Sequence, residues 1–257
     1  MHLSQLAAAN PDKPAYIMAG SGQTFTYSDL ERGSNQLAQL FRSLGLVRGD
    51  HIAILLENHP LFIQICVAAQ RAGLYYTAIS YRLQSEEVAY IVNDCGAKVF
   101  ITSKDRQMVV EALLPDLPEL DQAFMLDGVI AGFESLEDVM ATQPGTPISD
   151  ESIGTSMLYS SGTTGRPKGV FRQLPEGEWG AEDSAALFKA LYGATDDSIY
   201  LSPAPLYHAA PLTFSMGFLL GGMTLVIMEP FDAEAALAAI QRYKITHSQW
   251  VPTMFIR

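Results

Sequence analysis

Basic charge is scarce in this 257-residue chain: 16 Lys and Arg stand against 28 Asp and Glu, a formal net charge of −12. A nucleic-acid binder needs a basic footprint, and docking on anionic lipid needs a polybasic patch, so both classes are disfavoured. Any anionic ligand must be held by a local group of donors and cations, because the overall field repels it. Cysteine is scarcer still. Cys66 and Cys95 fall on expected helices, with no Cys-x-x-Cys and no Cys/His spacing suited to a metal. They read as reduced, buried thiols in a cytoplasmic setting. The start, "MHLSQLAAANPDKP", has neither the basic opening nor the apolar core of a signal peptide. No apolar run reaches the roughly 18 residues of a membrane-spanning helix. "MGFLLGGMTLVIM" comes nearest, and paired glycines break it. Internal repeats and low-complexity segments are missing too. What is there, 48% apolar and 17% charged residues, is an ordinary globular composition with length enough for one large α/β domain or two small ones.

Along the chain the pattern alternates. Residues 14–27 read as a hairpin about a Gly-Ser-Gly turn. A helix follows, with Ser28 and Glu31 as its capping box, Leu30, Leu37, Leu40, Phe41 and Leu44 on one face, and Gly45 ending it. Then come "HIAILL" as a strand, a helix from near Pro60 to Gly73, and "YYTAIS" as a strand. Ser85 caps a helix that turns Val88, Ile91, Val92 and Cys95 inward before Gly96; "KVFITS" is a strand and 105–114 a short helix. Continuous apolar strands in β-α-β-α-β order predict a parallel sheet covered on both faces. Residues 115–152 are Pro-rich and acidic and read as a connection, with a short strand at Phe124–Leu126. A second series runs from about 153 to 257: "SMLYS", a helix at 181–192, the strands "SIYLS" and "TLVIM" around an apolar helix at 211–221, a helix capped by Asp232 carrying Leu237, Ile240 and Tyr243, and a closing strand "HSQWV". The final "VPTMFIR" reads as a helix just beginning, which suggests the N-terminal piece of a longer protein.

Between the two β runs around residue 165 lies "YSSGTTGRPKGV", residues 159–170. Gly162, Gly165 and Gly169 let backbone approach a ligand closely, Ser160, Ser161, Thr163 and Thr164 offer four hydroxyls, and consecutive amides in such a turn form an anion-binding nest. Lys168 adds a flexible point charge suited to phosphates. The bland alternative is a solvated Ser/Gly/Thr loop. A Walker A loop is excluded, because that motif needs Gly-Lys-[Ser/Thr] opening a helix, whereas here Pro167 precedes the lysine and Gly-Val follows.

This string resembles the signature loop of the adenylate-forming, AMP-binding superfamily, which includes acyl-CoA synthetases and fatty-acid–CoA ligases. The resemblance extends over the whole chain, through "TFTYSDLERGSNQLAQLFRSLGLVRGDHIAILLENHP", "YRLQSEEVAYIVNDCGAKVFIT", "APLYHAAPL" and "ITHSQWVPTMF". It implies an α/β fold of parallel sheets flanked by helices, here the incomplete N-terminal domain of an acyl-CoA synthetase-like fold. It implies ATP, Mg2+ and CoA: a carboxylic acid, fatty or otherwise acyl, is joined to the α-phosphate as an acyl-adenylate and then passed to the CoA thiol. By the family's pattern Ser160, Ser161, Gly162, Thr163, Thr164, Gly165 and Lys168 bind the ATP phosphates, Ser160 also offers a hydroxyl to magnesium, and Tyr207, His208 and Trp250 line the acyl pocket. Taken alone, His208 is equally a packed core histidine and Trp250 equally plain core. His2, His51, His59 and His247 read as structural or solvent-facing, and Arg82 as a tie between a loop and a helix end.

The sequence also departs from the family. After the loop stands "FRQLPEGEWGAEDS" in place of a Thr-His or Ser-His pair, read as a solvated acidic loop; after His208 come Ala209, Ala210 and Pro211 where glycine is usual. The family's Tyr-Gly-x-Thr-Glu segment, its ribose-binding Asp and its C-terminal lysine do not occur. No catalytic residue is therefore assigned within 1–257, and these residues alone are expected to be inactive. Three other readings stay open: a ligase that loads a carrier protein, a short non-catalytic binder of nucleotide, acyl groups or a partner, and an unrelated nucleotide-binding domain. An oligomer is compatible with all of them.

Overall fold

The computed structural model describes residues 2–160, 167–180 and 184–256. Contacts divide the chain into two compact units that are not contiguous in sequence. The first comprises Met1–Arg32, Glu57–Ile63 and Gly180–Arg257; the second comprises Gly33–Leu56 and Gln64–Trp179.

The first unit is built on a five-stranded sheet in the order His247–Ser248, Ile199–Ser202, Thr224–Ile227, Pro14–Met18, Thr24–Thr26. All neighbours are parallel except the last pair, the expected hairpin at residues 14–26. Side chains alternate across a strand, and the strand Ile199–Ser202 shows it. Leu201 joins an aliphatic cluster with Val226, Met228, Ala236 and Ala239, on the side of the helix Ala233–Tyr243. Tyr200 points the other way and stacks on Phe218 of the helix Ala209–Leu220, ring centroids 4.6 Å apart. Asp232 caps the later helix as expected, accepting from the Ala235 amide at 2.8 Å. Its inward face differs from the expectation: Leu237 is exposed, and small Ala236 and Ala239 lie inward with Ile240 and Tyr243 beside them.

The second unit carries a six-stranded, wholly parallel sheet in the order Glu134–Ser135, Gln122–Leu126, Ala97–Ser103, His51–Leu55, Tyr75–Ala78, Thr155–Ser156. Its central strands are buried almost end to end, as continuous apolar runs require. The Pro-rich acidic stretch contributes two of these strands and the helix Leu136–Ala141. Two helix starts fall elsewhere than read. Thr26 and Asp29 form the reciprocal cap of the helix Tyr27–Ser43: the Thr26 hydroxyl accepts from the Asp29 amide at 3.1 Å, and the Asp29 carboxylate from the Thr26 amide at 3.0 Å. Gln84 and Glu87 cap the helix Ser85–Asp94, whose first residue is Ser85. In both cases the pattern fits two overlapping frames, and the backbone direction of the incoming chain selects one. Cys66 and Cys95 are buried free thiols; burial raises both, Cys95 to about 11.

Candidate functional site

The sequence-predicted residues fall in both units, and each group is built by its own unit. In the second unit, Leu158–Ser160 and Lys168–Val170 form an antiparallel pair, with Ser160 opposite Lys168, Tyr159 opposite Gly169 and Leu158 opposite Val170. The signature string is thus a hairpin, and Lys168 begins a strand rather than a helix. Directly opposed residues project to the same face. Ser160 and Lys168, both exposed, therefore set a hydroxyl and an ammonium side by side at the mouth of one loop, with Ser160 Oγ 3.5 Å from the Lys168 carbonyl oxygen. Ser161, Gly162, Thr163, Thr164 and Gly165, also expected at the phosphates, lie outside the described residues.

Gly169 leaves room for two neighbouring side chains. A Cβ there would sit 2.5 Å from Met157 Cε and 3.0 Å from Tyr159 Cζ, so the Tyr159 ring lies across the partner strand. Beyond the hairpin the acidic stretch is largely exposed and without regular structure over 171–180, as expected of a solvated loop, but it is anchored at two points. Phe171 packs on Tyr75 at 5.2 Å, the Tyr75 hydroxyl donates to the Arg172 carbonyl at 2.7 Å, and Leu174 is buried in the main cluster. Arg48 donates to the Pro175 carbonyl at 2.7 Å, and the Arg71 guanidinium lies 4.7 Å above the Trp179 ring. Arg71 is itself fully buried, donating to Glu151 at 2.7 Å and to Ser34 Oγ at 2.9 Å. Leu174 and Trp179 are thus two buried anchors in an otherwise exposed segment.

In the first unit, Tyr207, His208 and Trp250 all lie past the carboxyl ends of parallel strands of one sheet. Tyr207 and His208 follow Ile199–Ser202, and Trp250 follows its neighbour His247–Ser248. That edge is where open α/β sheets place ligands. His208 occupies the N-cap position of the helix Ala209–Leu220 with extended backbone, φ −83° and ψ 146°, and its imidazole makes no capping bond. The imidazole is exposed, and its ring lies 4.3 Å from that of buried Tyr207. Pro211 sits in the first turn of that helix, buried. Trp250 is half-buried on the rim of the aliphatic cluster, edge-on to Phe231 at 6.0 Å.

The residue that shapes this turn was not singled out from sequence. Asn58, 4% exposed, donates through Nδ2 to the carbonyls of Ala204 at 3.1 Å and Met228 at 2.7 Å, and its Oδ1 accepts from the Leu206 amide at 2.8 Å. Three backbone groups are satisfied by one amide, which ties the end of the strand Thr224–Ile227 to the segment that presents Tyr207 and His208. The only signal was an amide residue closing an apolar strand in "LLENHP".

A magnesium site fits this arrangement in one way. Among the described residues no group of three His, Cys, Asp or Glu could hold a metal. Ser160 offers one hard oxygen at the hairpin mouth, the donor set of an ion shared with phosphates rather than caged by protein. No helix among the described residues is long and apolar enough to cross a membrane.

Both the sequence and the fold are similar to those of known proteins. The chain is 27% identical over 252 residues to the long-chain-fatty-acid–CoA ligase FadD13 of Mycobacterium tuberculosis, covering 98% of this chain and 49% of that one. It is 31% identical over 235 residues to a feruloyl-CoA synthase of Amycolatopsis, covering 91% of this chain and 45% of that one. It therefore spans about half the length of the curated relatives it matches. The inhibitor-bound N-terminal domain of FACL13 from Mycobacterium tuberculosis superimposes with a TM-score of 0.86 at 25% identity, covering 99% of this chain and 63% of that one. The AMP-binding enzyme profile matches residues 3–257, and the chain belongs to that family.

Proposed function

We propose that this chain carries the phosphate-gripping hairpin and part of the acid site of an ATP-dependent acid–thiol ligase. The observation that carries the reading is the hairpin mouth, where Ser160 and Lys168 stand opposite each other around a Ser-Gly-Thr-Thr-Gly loop in an AMP-binding chain. Lys168 and the loop donors, Ser161, Gly162, Thr163, Thr164 and Gly165, hold the β- and γ-phosphates of ATP and the departing pyrophosphate. Ser160 shares a magnesium ion with them. The acid, fatty or otherwise acyl, enters past Tyr207, His208 and Trp250, where a helix N-terminus and an exposed imidazole favour a carboxylate. The helix Ala209–Leu220 behind them packs Leu212, Met216, Phe218 and Leu219 into the core, which fixes the helix N-terminus in place. Once activated, the acyl group passes to the thiol of CoA.

The reading assigns binding and orientation to these residues, and no proton transfer. Residues 1–257 on their own are accordingly expected to show no turnover. The test is acid-dependent ATP–pyrophosphate exchange by the intact gene product, with magnesium, across fatty and aryl acids. Exchange with one class of acid is expected, and Lys168→Ala should lower it by about a hundredfold, the scale of removing one charge-stabilising donor. Exchange with none of the acids, or a Lys168→Ala protein as active as the parent, would overturn the proposal.

A further inference from the structure

We propose that Asp94 and Tyr159 form a latch on the incoming strand of the hairpin, which makes Tyr159 a positioning residue for Ser160 and Lys168. The inference rests on the reading of this hairpin as a phosphate grip, and it names what aims it.

The Tyr159 hydroxyl donates to Asp94 Oδ2 at 2.5 Å, across 65 residues of sequence. An O–H bond to a carboxylate at that length is charge-assisted and stronger than a neutral one. Burial, and then the hydrogen bond to Asp94, push the phenol above its usual range, so it stays a donor at any physiological pH. Tyr90 approaches the other oxygen of the same carboxylate at 3.4 Å. Asp94 is the last residue of the helix Ser85–Asp94, the end where the macrodipole disfavours an acid. The bond from Tyr159, rather than the helix dipole, gives this carboxylate its use. The Tyr159 ring then lies across the partner strand at Gly169. Tyr159 adjoins Ser160, and Gly169 adjoins Lys168. The bond to Asp94 therefore anchors the strand that ends in Ser160, while the ring packs over Gly169 beside Lys168, and any slip of the stem moves the two functional groups together.

The experiment compares Tyr159→Phe, Asp94→Ala and Asp94→Asn in the intact protein. Phenylalanine keeps the ring over Gly169 and removes only the hydroxyl. Tyr159→Phe and Asp94→Ala should each raise KM for ATP about tenfold, equivalent to roughly 1.4 kcal/mol, with KM for the acid within about twofold of the parent. Asp94→Asn keeps an oxygen acceptor and should recover most of the loss. The double variant Tyr159→Phe/Asp94→Ala should be no worse than either single one, because both remove the same bond. A KM for ATP unchanged in Tyr159→Phe, equal losses for ATP and acid, or additive losses would overturn the latch.

Limited tryptic cleavage after Lys168 supplies a readout independent of turnover. Cleavage should quicken several-fold in Tyr159→Phe, and an unchanged rate would overturn the latch as well. Should the parent protein neither bind ATP nor exchange pyrophosphate, the functional reading fails, and the cleavage rates still decide whether the hydroxyl holds the stem.

Discussion

Each unit holds a buried polar side chain that ties distant segments together, and the two use opposite chemistry. In the first, neutral Asn58 meets only backbone: two carbonyls and an amide. In the second, Arg71 is a full charge at 0% exposure and meets side chains: the Glu151 carboxylate, the Ser34 hydroxyl and the Trp179 face. An amide can be satisfied completely by fixed backbone groups, so its contribution is geometric and has few substitutes. A buried cation must bring its own counter-charge, and the pair is exchangeable for apolar residues of similar volume. The turn presenting His208 is thus held by a group with few substitutes, while the chain beyond the Ser160–Lys168 hairpin is held by one that can be exchanged.

The largest effect should come from Asn58→Ala. It leaves two buried carbonyls and one buried amide unpaired and should cost about 4 kcal/mol of stability, read by urea unfolding. A loss below about 1 kcal/mol would mean that the turn is held by something else. Arg71→Met should cost about 3 kcal/mol, because Glu151 is then left largely buried without its partner. Arg71→Met combined with Glu151→Leu should recover most of that loss. No comparable second substitution should rescue Asn58→Ala, whose partners are backbone, and recovery in both cases would erase the contrast.

The smallest effect concerns pH. His51 stacks on Tyr75 at 4.5 Å with its Nδ1 buried, and burial holds its pKa below the ordinary 6.5, partly offset by the charge of Asp50. Below pH 6.5 the unfolded chain takes up this proton more readily than the folded one. His51 therefore withdraws stability as pH falls from 6.5 toward its folded pKa, and its contribution is constant above. His51→Phe keeps the stack and should shrink the difference in urea midpoint between about pH 7.5 and 5.5. An unchanged difference would show that the ring charges freely in the folded protein.

Much of this was legible beforehand. The parallel sheet, the hairpin at residues 14–26, the Asp232 cap and the left-handed glycines Gly45 and Gly96 beyond their helices were all read from short windows. Such features are local: each depends on residues within a few positions of one another. Two caps were placed in the wrong frame, because Ser28 with Glu31 and Thr26 with Asp29 carry the same signal and only the path of the chain distinguishes them. Over 171–180 the stretch after the hairpin is the exposed loop that its charges suggest, and what composition does not show is that Leu174 and Trp179 are buried within it.

What the sequence determined by itself is the kind of protein this is. Its alternating strands and helices specify an α/β chain, and "YSSGTTGRPKGV" supplies glycines, hydroxyls and a lysine in an order that suits phosphate and excludes a Walker A helix. Only the tertiary structure decided how those groups are aimed. Asn58 reaches Leu206, Arg71 reaches Glu151 and Asp94 reaches Tyr159 across separations of 148, 80 and 65 residues. Partners so distant leave no periodicity in the sequence, and where the partner is a backbone carbonyl or amide, every residue offers the same one.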